Sequence, residues 1–239
     1  MVREWLDSIL RARGYELKRL GAPVRGEGDF IRMLQTKGFS PATVVDIGVW
    51  HGTPWLYQFP SAKLVLIEPN PVFEPDLVRI ARDHDADIYR HAVGAAESTL
   101  ELLVDERQPG SASFLKLSTL VEATRGERRS YRSLQVPVKT LDETLGDRYA
   151  DPFLLKLDIE GYEREALLGA SRTLARTALV ICEVSVAARF DGGYTFSELV
   201  SLLAAHGFRF YDILEIATLG HGGPINYLDA AFLRSDLVL

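Results

Sequence analysis

Cysteine is nearly missing from this sequence: Cys182 is the single one in 239 residues. No internal disulfide can form, so the fold must rest on a buried core, as suits a reducing compartment. Histidine is also sparse, with five residues. None stands in H-x-x-x-H spacing and no C-x-x-C occurs, so no metal centre is indicated, and the acids could at most hold a hard cation. No uncharged apolar run approaches the roughly 18 residues that a membrane span needs. Arg3, Glu4 and Asp7 interrupt the stretch where a signal peptide would be apolar. A cytoplasmic protein without a membrane span is the expectation. Positive charge is in deficit too, with 27 Lys and Arg against 33 Asp and Glu. Nucleic acid is therefore not an expected partner.

What remains is ordinary for a globular chain: 47% hydrophobic and 25% charged residues. Trp5, Leu6, Ile9 and Leu10 stand at helical spacing, with Leu17 and Leu20 beyond, and a Gly-rich connector runs from Gly21 to Gly28. A further helix is predicted from Asp29 through Phe30, Ile31, Met33 and Leu34, stopping at Gly38. Residues 1–38 thus read as a helical extension and 39–239 as the main domain. In that domain apolar runs alternate with helical spacing. Strands are predicted at 43–47, 63–67, 86–93, 99–104, 152–157, 178–185, 208–216 and 227–233, with 136–140 extended by its proline. Helices are predicted at 72–82, 141–145, 162–170 and 195–206, and another after Thr53, whose neighbour Pro54 suits a first turn. Residues 105–133 read as a polar, irregular segment, open to three readings: a lid, a substrate loop or a mobile insertion. Continuous apolar runs separated by helices point to an α/β fold with a parallel sheet, closed by an antiparallel pair of strands.

The residues with chemistry to offer stand where predicted strands end. Val45-Asp46-Ile47-Gly48-Val49-Trp50-His51-Gly52 places two glycines at a strand end, where the backbone turns sharply and approaches a ligand. Glu68, at the end of the second strand, is placed to hold both hydroxyls of a ribose. The glycines are not spaced G-x-G-x-x-G, as a dinucleotide's pyrophosphate requires. Asp46, Glu68, Asp87, Asp158 and Glu160 all fall at or near strand ends or the turns beside them. Such a ring of carboxylates repels a pyrophosphate and attracts a sulfonium and an ammonium, which favours S-adenosylmethionine as the cofactor.

Several stretches resemble the FkbM-like methyltransferases: VVDIGVWHG (44–52), LIEPNP (66–71), HAVGAAESTLEL (91–102), VPVKTLDETL (136–145), LLKLDIEGYEREALLGA (154–170), VICEVS (180–185) and LDAAFLR (228–234). The pair VPVKTLDETL and KLDIEGYE is the most specific. The resemblance spans about residues 40–235. It implies a Rossmann-like class I methyltransferase fold, whose seven-stranded, mostly parallel sheet has the order 3-2-1-4-5-7-6 and an antiparallel final hairpin. It also implies O-methylation of a hydroxyl on a sugar or secondary metabolite, with a small molecule or glycan as acceptor. By position, Asp46, Gly48 and Gly52 would face the methionine part of the cofactor and Glu68 the ribose. His91 and Ala92 would lie by the adenine, and Val49, Pro69 and Asn70 complete the expected contacts. Family loops often read G-A-N where this chain has Gly48-Val49-Trp50, and Arg164 replaces a residue that is usually apolar.

Asp158, which also borders the cofactor, Glu160 and His221 are the candidate catalytic groups, since adjacent acids raise one another's pKa and His221 lies in the loop between the last two strands. The same residues also suit plainer roles: Asp158 and Glu160 as helix caps, His221 as an exposed loop residue, Glu183 as a paired strand acid, and Arg125, Arg128, Arg129 and Arg132 as a solvated face. Two other functions fit the sequence: a nicotinamide-dependent oxidoreductase on a related fold, and a non-catalytic relative that binds a nucleoside.

Overall fold

The computed structural model describes residues 26–125, 130–220 and 222–239, together with residue 10. The helices expected within 1–20 and the side chain of His221 lie outside the described residues. The first described helix, α1 (Glu27–Thr36), precedes β1 (Thr43–Ile47) and β2 (Lys63–Ile67). A 3-10 turn over Pro71–Phe73 opens α2 (Glu74–His84), which ends where Asp85 turns left-handed, and β3 (Ala86–Tyr89) follows. The chain then leaves this sheet through β4 (Ala92–Val93), β5 (Ser98–Asp105), α3 (Thr119–Arg125) and β6 (Tyr131–Lys139). It returns with α4 (Leu141–Leu145), β7 (Phe153–Leu157), α5 (Glu163–Leu168), α6 (Ser171–Ala175), β8 (Thr177–Ser185) and α7 (Phe196–Ala205). The long pair β9 (Phe208–Thr218) and β10 (Ile225–Arg234) ends it.

The main sheet has seven strands in the order β3-β2-β1-β7-β8-β10-β9, parallel except for β10, which runs antiparallel to both neighbours. Counted within that sheet, this is the order 3-2-1-4-5-7-6 that the resemblance implied. Side chains alternate between two cores, as strand geometry demands. Val45, Ile47, Leu155, Leu157, Val180 and Cys182 pack beneath α4, α5, α6 and α7. Val44, Leu64, Leu66, Leu154, Leu179 and Ile181 pack beneath α1 and α2. Phe30, Ile31 and Leu34 of α1 are fully buried there. Capping boxes start α4 (Thr140 with Glu143) and α7 (Thr195 with Glu198), each satisfying two backbone donors that a helix end leaves open. Among the described residues no helix is long and apolar enough to cross a membrane.

Three local expectations differ. The strand predicted over 86–93 divides at Arg90 and His91, because β2 ends opposite Tyr89 and β4 pairs with β6 in a second sheet of order β4-β6-β5. After Thr53 there are turns and no helix: the Thr53 amide donates to Tyr57 Oη (2.9 Å), and Pro60 closes a segment too short to propagate a helix. The described residues of the 105–133 segment form regular elements: a 3-10 turn at Pro109–Ser111, α3, and the start of β6.

Candidate active site

The carboxyl ends of β1, β2, β7 and β8 open into a cavity of about 700 Å³, roofed by the segment Arg107–Phe114. Volumes of this size accommodate a nucleoside-bearing cofactor together with part of a second molecule. β1 ends at Gly48, whose φ of 78° places it in the left-handed region. A Cβ there would collide with the backbone carbonyl of Asp158, so only glycine lets the ends of β1 and β7 approach this closely. Asp46, one residue before the β1 end, is fully buried behind the cavity wall. Its Oδ2 accepts from Tyr57 Oη (2.5 Å), and its Oδ1 lies 3.4 Å from Lys156 Nζ. Val49 is likewise buried and, like Gly52 and Asn70, stands outside the lining.

Glu68 faces the cavity from the end of β2 with both carboxylate oxygens fixed by the backbone. Its Oε1 accepts from the Asn70 amide (2.8 Å) and its Oε2 from the Trp50 amide (3.2 Å). Burial pushes its carboxyl up, against the pull of these donors. The Asn70 side chain caps the next turn through Val72 N (3.2 Å) and donates to the Pro109 carbonyl (3.3 Å), which ties the roof to the β2 end. Trp50 holds a left-handed φ of 53°, and its indole lies against Gly110. Pro69, His91 and Ala92 also line the cavity. The His91 Nδ1 is 2.9 Å from the Ala92 carbonyl. Burial lowers its pKa below the ordinary histidine value, favouring the neutral ring.

The opposite end gathers acids around two cations. Asp158 and Glu160 line the cavity just after β7, and Glu183 does so from β8. Lys156, buried in β7, donates to the Gly48 carbonyl (3.0 Å) and lies 3.4 Å from Asp158 Oδ2. Burial works against its charge, yet Asp46, Asp158 and Asp229 outweigh that and hold its pKa above the ordinary lysine range. Arg189 bridges the other two acids: it meets Glu160 Oε2 at 2.5 Å and ion-pairs with Glu183 Oε1. Its guanidinium lies 4.3 Å from the Tyr227 ring centre and 5.0 Å from that of Phe190. Glu160 has a φ of 52°, rare for a residue with a Cβ and costing about 1–3 kcal/mol. The Ser113 hydroxyl locks this turn by donating to the Glu160 carbonyl (2.7 Å).

The structure thus brings together Gly48, Glu68, Pro69, His91, Ala92, Asp158 and Glu160 around one cavity. Asp87 stands apart, in β3, where it accepts from Tyr149 Oη (2.7 Å) and pairs with Lys63 (3.0 Å). Lys156, Arg189 and Tyr227 were not singled out from the sequence, whereas the 107–114 roof falls within the 105–133 segment, for which a lid or substrate loop is one reading. Lys156 carries a signal there, as the one charge inside the apolar run Phe153–Leu157; Arg189 sits in a loop with no period to mark it. Among the described residues one acidic group away from the lining, Glu27, Glu215 and Asp229, brings carboxylate oxygens within 4.8 Å of one another.

A family model described as the methyltransferase FkbM domain matches residues 44–210. No curated protein matches the chain. Among solved structures it is similar to an FkbM methyltransferase from Methylobacillus flagellatus, with 15% identity over 82% of this chain and a TM-score of 0.50. The match spans 44% of that protein's length, so this chain corresponds to less than half of it. It is also similar to a magnesium protoporphyrin IX methyltransferase from Synechocystis, solved with S-adenosylmethionine bound, at 11% identity, 87% of this chain, 78% of that one, and a TM-score of 0.47. The match of the family model over most of the chain, on a sheet of the order that such a family requires, shows that this protein belongs to the FkbM family of S-adenosylmethionine-dependent methyltransferases.

Proposed function

We propose that this protein methylates a hydroxyl group of a small molecule or glycan, with S-adenosylmethionine held in the 700 Å³ cavity. The observation that carries this reading is the set of four carboxylates, Glu68, Asp158, Glu160 and Glu183, on the walls of that one cavity. Glu68 takes the ribose: each oxygen already has one backbone donor, which fixes its direction and leaves further lone pairs for the two hydroxyls. His91 and Ala92, with Pro69, border the adenine. Gly48, closed against the Asp158 carbonyl, borders the methionine part from the cavity wall. Asp46, Val49, Gly52 and Asn70 act from behind, shaping the loop rather than touching the cofactor.

The cofactor supplies a methyl group already activated on a cationic sulfur. The chain's own residues therefore have modest work: to align the acceptor oxygen and to take its proton. Asp158 and Glu160 border the place where the acceptor enters.

A nicotinamide cofactor fits poorly. The amides of Gly48, Trp50, Gly52 and Thr53 are all occupied, by the Ile67 carbonyl, Glu68, the Val49 carbonyl and Tyr57 Oη. No helix begins at this loop, so the usual cradle for a pyrophosphate is missing. The test is methyl transfer from labelled S-adenosylmethionine to a panel of hydroxyl-bearing sugars and phenols, followed by mass. A gain of one methyl group supports the reading. A protein that binds the cofactor and modifies no acceptor favours the non-catalytic alternative.

A further inference from the structure

Glu183 and Glu68 project from β8 and β2, three strand spacings apart across the sheet. At roughly 4.8 Å per strand this is about 14 Å, which places Glu183 well beyond the ribose end. Glu183 lies on a strand whose other residues are all buried, and it lines the cavity beside Tyr227. Its Oε1 is taken by Arg189, while its Oε2 makes no hydrogen bond to a described residue. Arg189 cannot move freely: it is stacked between Tyr227 and Phe190 and shared with Glu160. Glu160 is itself fixed by its left-handed backbone and by Ser113. One carboxylate oxygen is therefore presented to the cavity by a clamp of named groups.

We propose that Glu183 takes the proton of the acceptor hydroxyl, and that Arg189 is the positioning residue that aims it by bridging it to Glu160. This rests on the methyltransferase reading above. As the acceptor oxygen gains the methyl carbon, the carbon–sulfur bond breaks and its electron pair stays on sulfur. The hydroxyl proton passes to Glu183 Oε2. The products are the methyl ether, the neutral thioether and a protonated Glu183, which later returns its proton to water. Burial first, then the charges of Glu160 and Asp158, push the Glu183 carboxyl well above the ordinary carboxylate range despite Arg189. Asp158 is less suited to the task, because Lys156 already engages its Oδ2.

Two measurements test this, and the first needs no acceptor. In protein labelled with ¹³C at glutamate carboxyls, the resonance lost in Glu183→Gln should titrate at higher pH than the surface glutamates. Glu160→Gln, which removes a negative charge beside Glu183, should move that midpoint to lower pH. The second measurement is the pH profile of methyl transfer. Glu183→Gln should lower kcat by about 100-fold or more and abolish the acid limb, with S-adenosylhomocysteine affinity kept within about threefold. In Glu160→Gln the acid limb should shift to lower pH, and this carries the test if Glu183→Gln does not fold. Glu183 ionising together with the surface glutamates overturns the proposal, as does a Glu183→Gln enzyme with full kcat and an intact acid limb. A wild-type protein that methylates no acceptor sinks the transferase reading, and this proposal with it.

Discussion

Glu68 owes its orientation to two backbone amides rather than to a cation, so its loss should be felt by the ligand more than by the fold. Glu68→Ala is expected to weaken S-adenosylmethionine binding by about 1–3 kcal/mol, the scale of hydrogen bonds to a charged group, as calorimetry would show. Unchanged affinity would remove Glu68 from the site. Glu163, fully buried at the start of α5, makes a separate case. It accepts from the amides of Ile159 (3.0 Å) and Gly161 (3.2 Å) and from Tyr194 Oη (2.8 Å). Burial nevertheless pushes its carboxyl from the ordinary 4.5 up to about 7. Between those values the folded protein keeps a proton that the unfolded chain has released, so stability falls as pH rises through this window and levels off above it. Glutamine has no proton to release and can keep the same contacts. Glu163→Gln should therefore gain on the wild type in Tm between about pH 5 and pH 8, at roughly 2–4 °C per kcal/mol. A constant Tm difference across that range would contradict this. Strand-end acids such as Glu68, Asp158 and Glu160 are legible in a sequence because a short apolar run stops beside them. Glu163 is not, because its burial depends on Tyr194, 31 residues further along.

At the scale of the element, the turn after β1 decides whether a site exists. Gly48→Ala would place a methyl group against the Asp158 carbonyl at a φ that side chains avoid. Since backbone on both sides must move, a loss of about 2 kcal/mol or more in stability is expected from urea denaturation, with cofactor affinity falling alongside. An unchanged midpoint would mean that the β1 and β7 ends need not touch. The strands around this turn were legible because each is a run of apolar residues bounded by Gly, Asp or Glu. The segment after it was not. Thr53-Pro54 carries a helix-start signal, but the side chain of Tyr57 claims the Thr53 amide and reaches Asp46, a tertiary contact that outweighs local propensity. The second sheet was hidden for a related reason: β4 has only two residues, and it pairs with a strand more than forty positions away.

Across the whole molecule, one charge arrangement does most of the explaining. On the α1 face of the sheet, the β1–β7 register sets Asp46 opposite Lys156 and the β8–β10 register sets Glu183 opposite Asp229, while the neighbouring positions are apolar. The acids outnumber the cations at the strand ends, and those that line the cavity face it with their net negative charge. The order of the seven strands could be anticipated only through the resemblance carried by the motifs; alternation of strands and helices by itself points to a parallel sheet with a final antiparallel pair. The clamp around Arg189 could not be anticipated, because it joins the turn after β7, the strands β8 and β10, and a loop that no local pattern connects. The central claim is that this cavity selects a cationic nucleoside over one bearing phosphates. Its most direct test is calorimetric titration of the intact protein with S-adenosylmethionine and, separately, with NAD. Saturable heat with the sulfonium compound and none with the dinucleotide is the expected outcome; tight NAD binding with no response to S-adenosylmethionine would refute the claim.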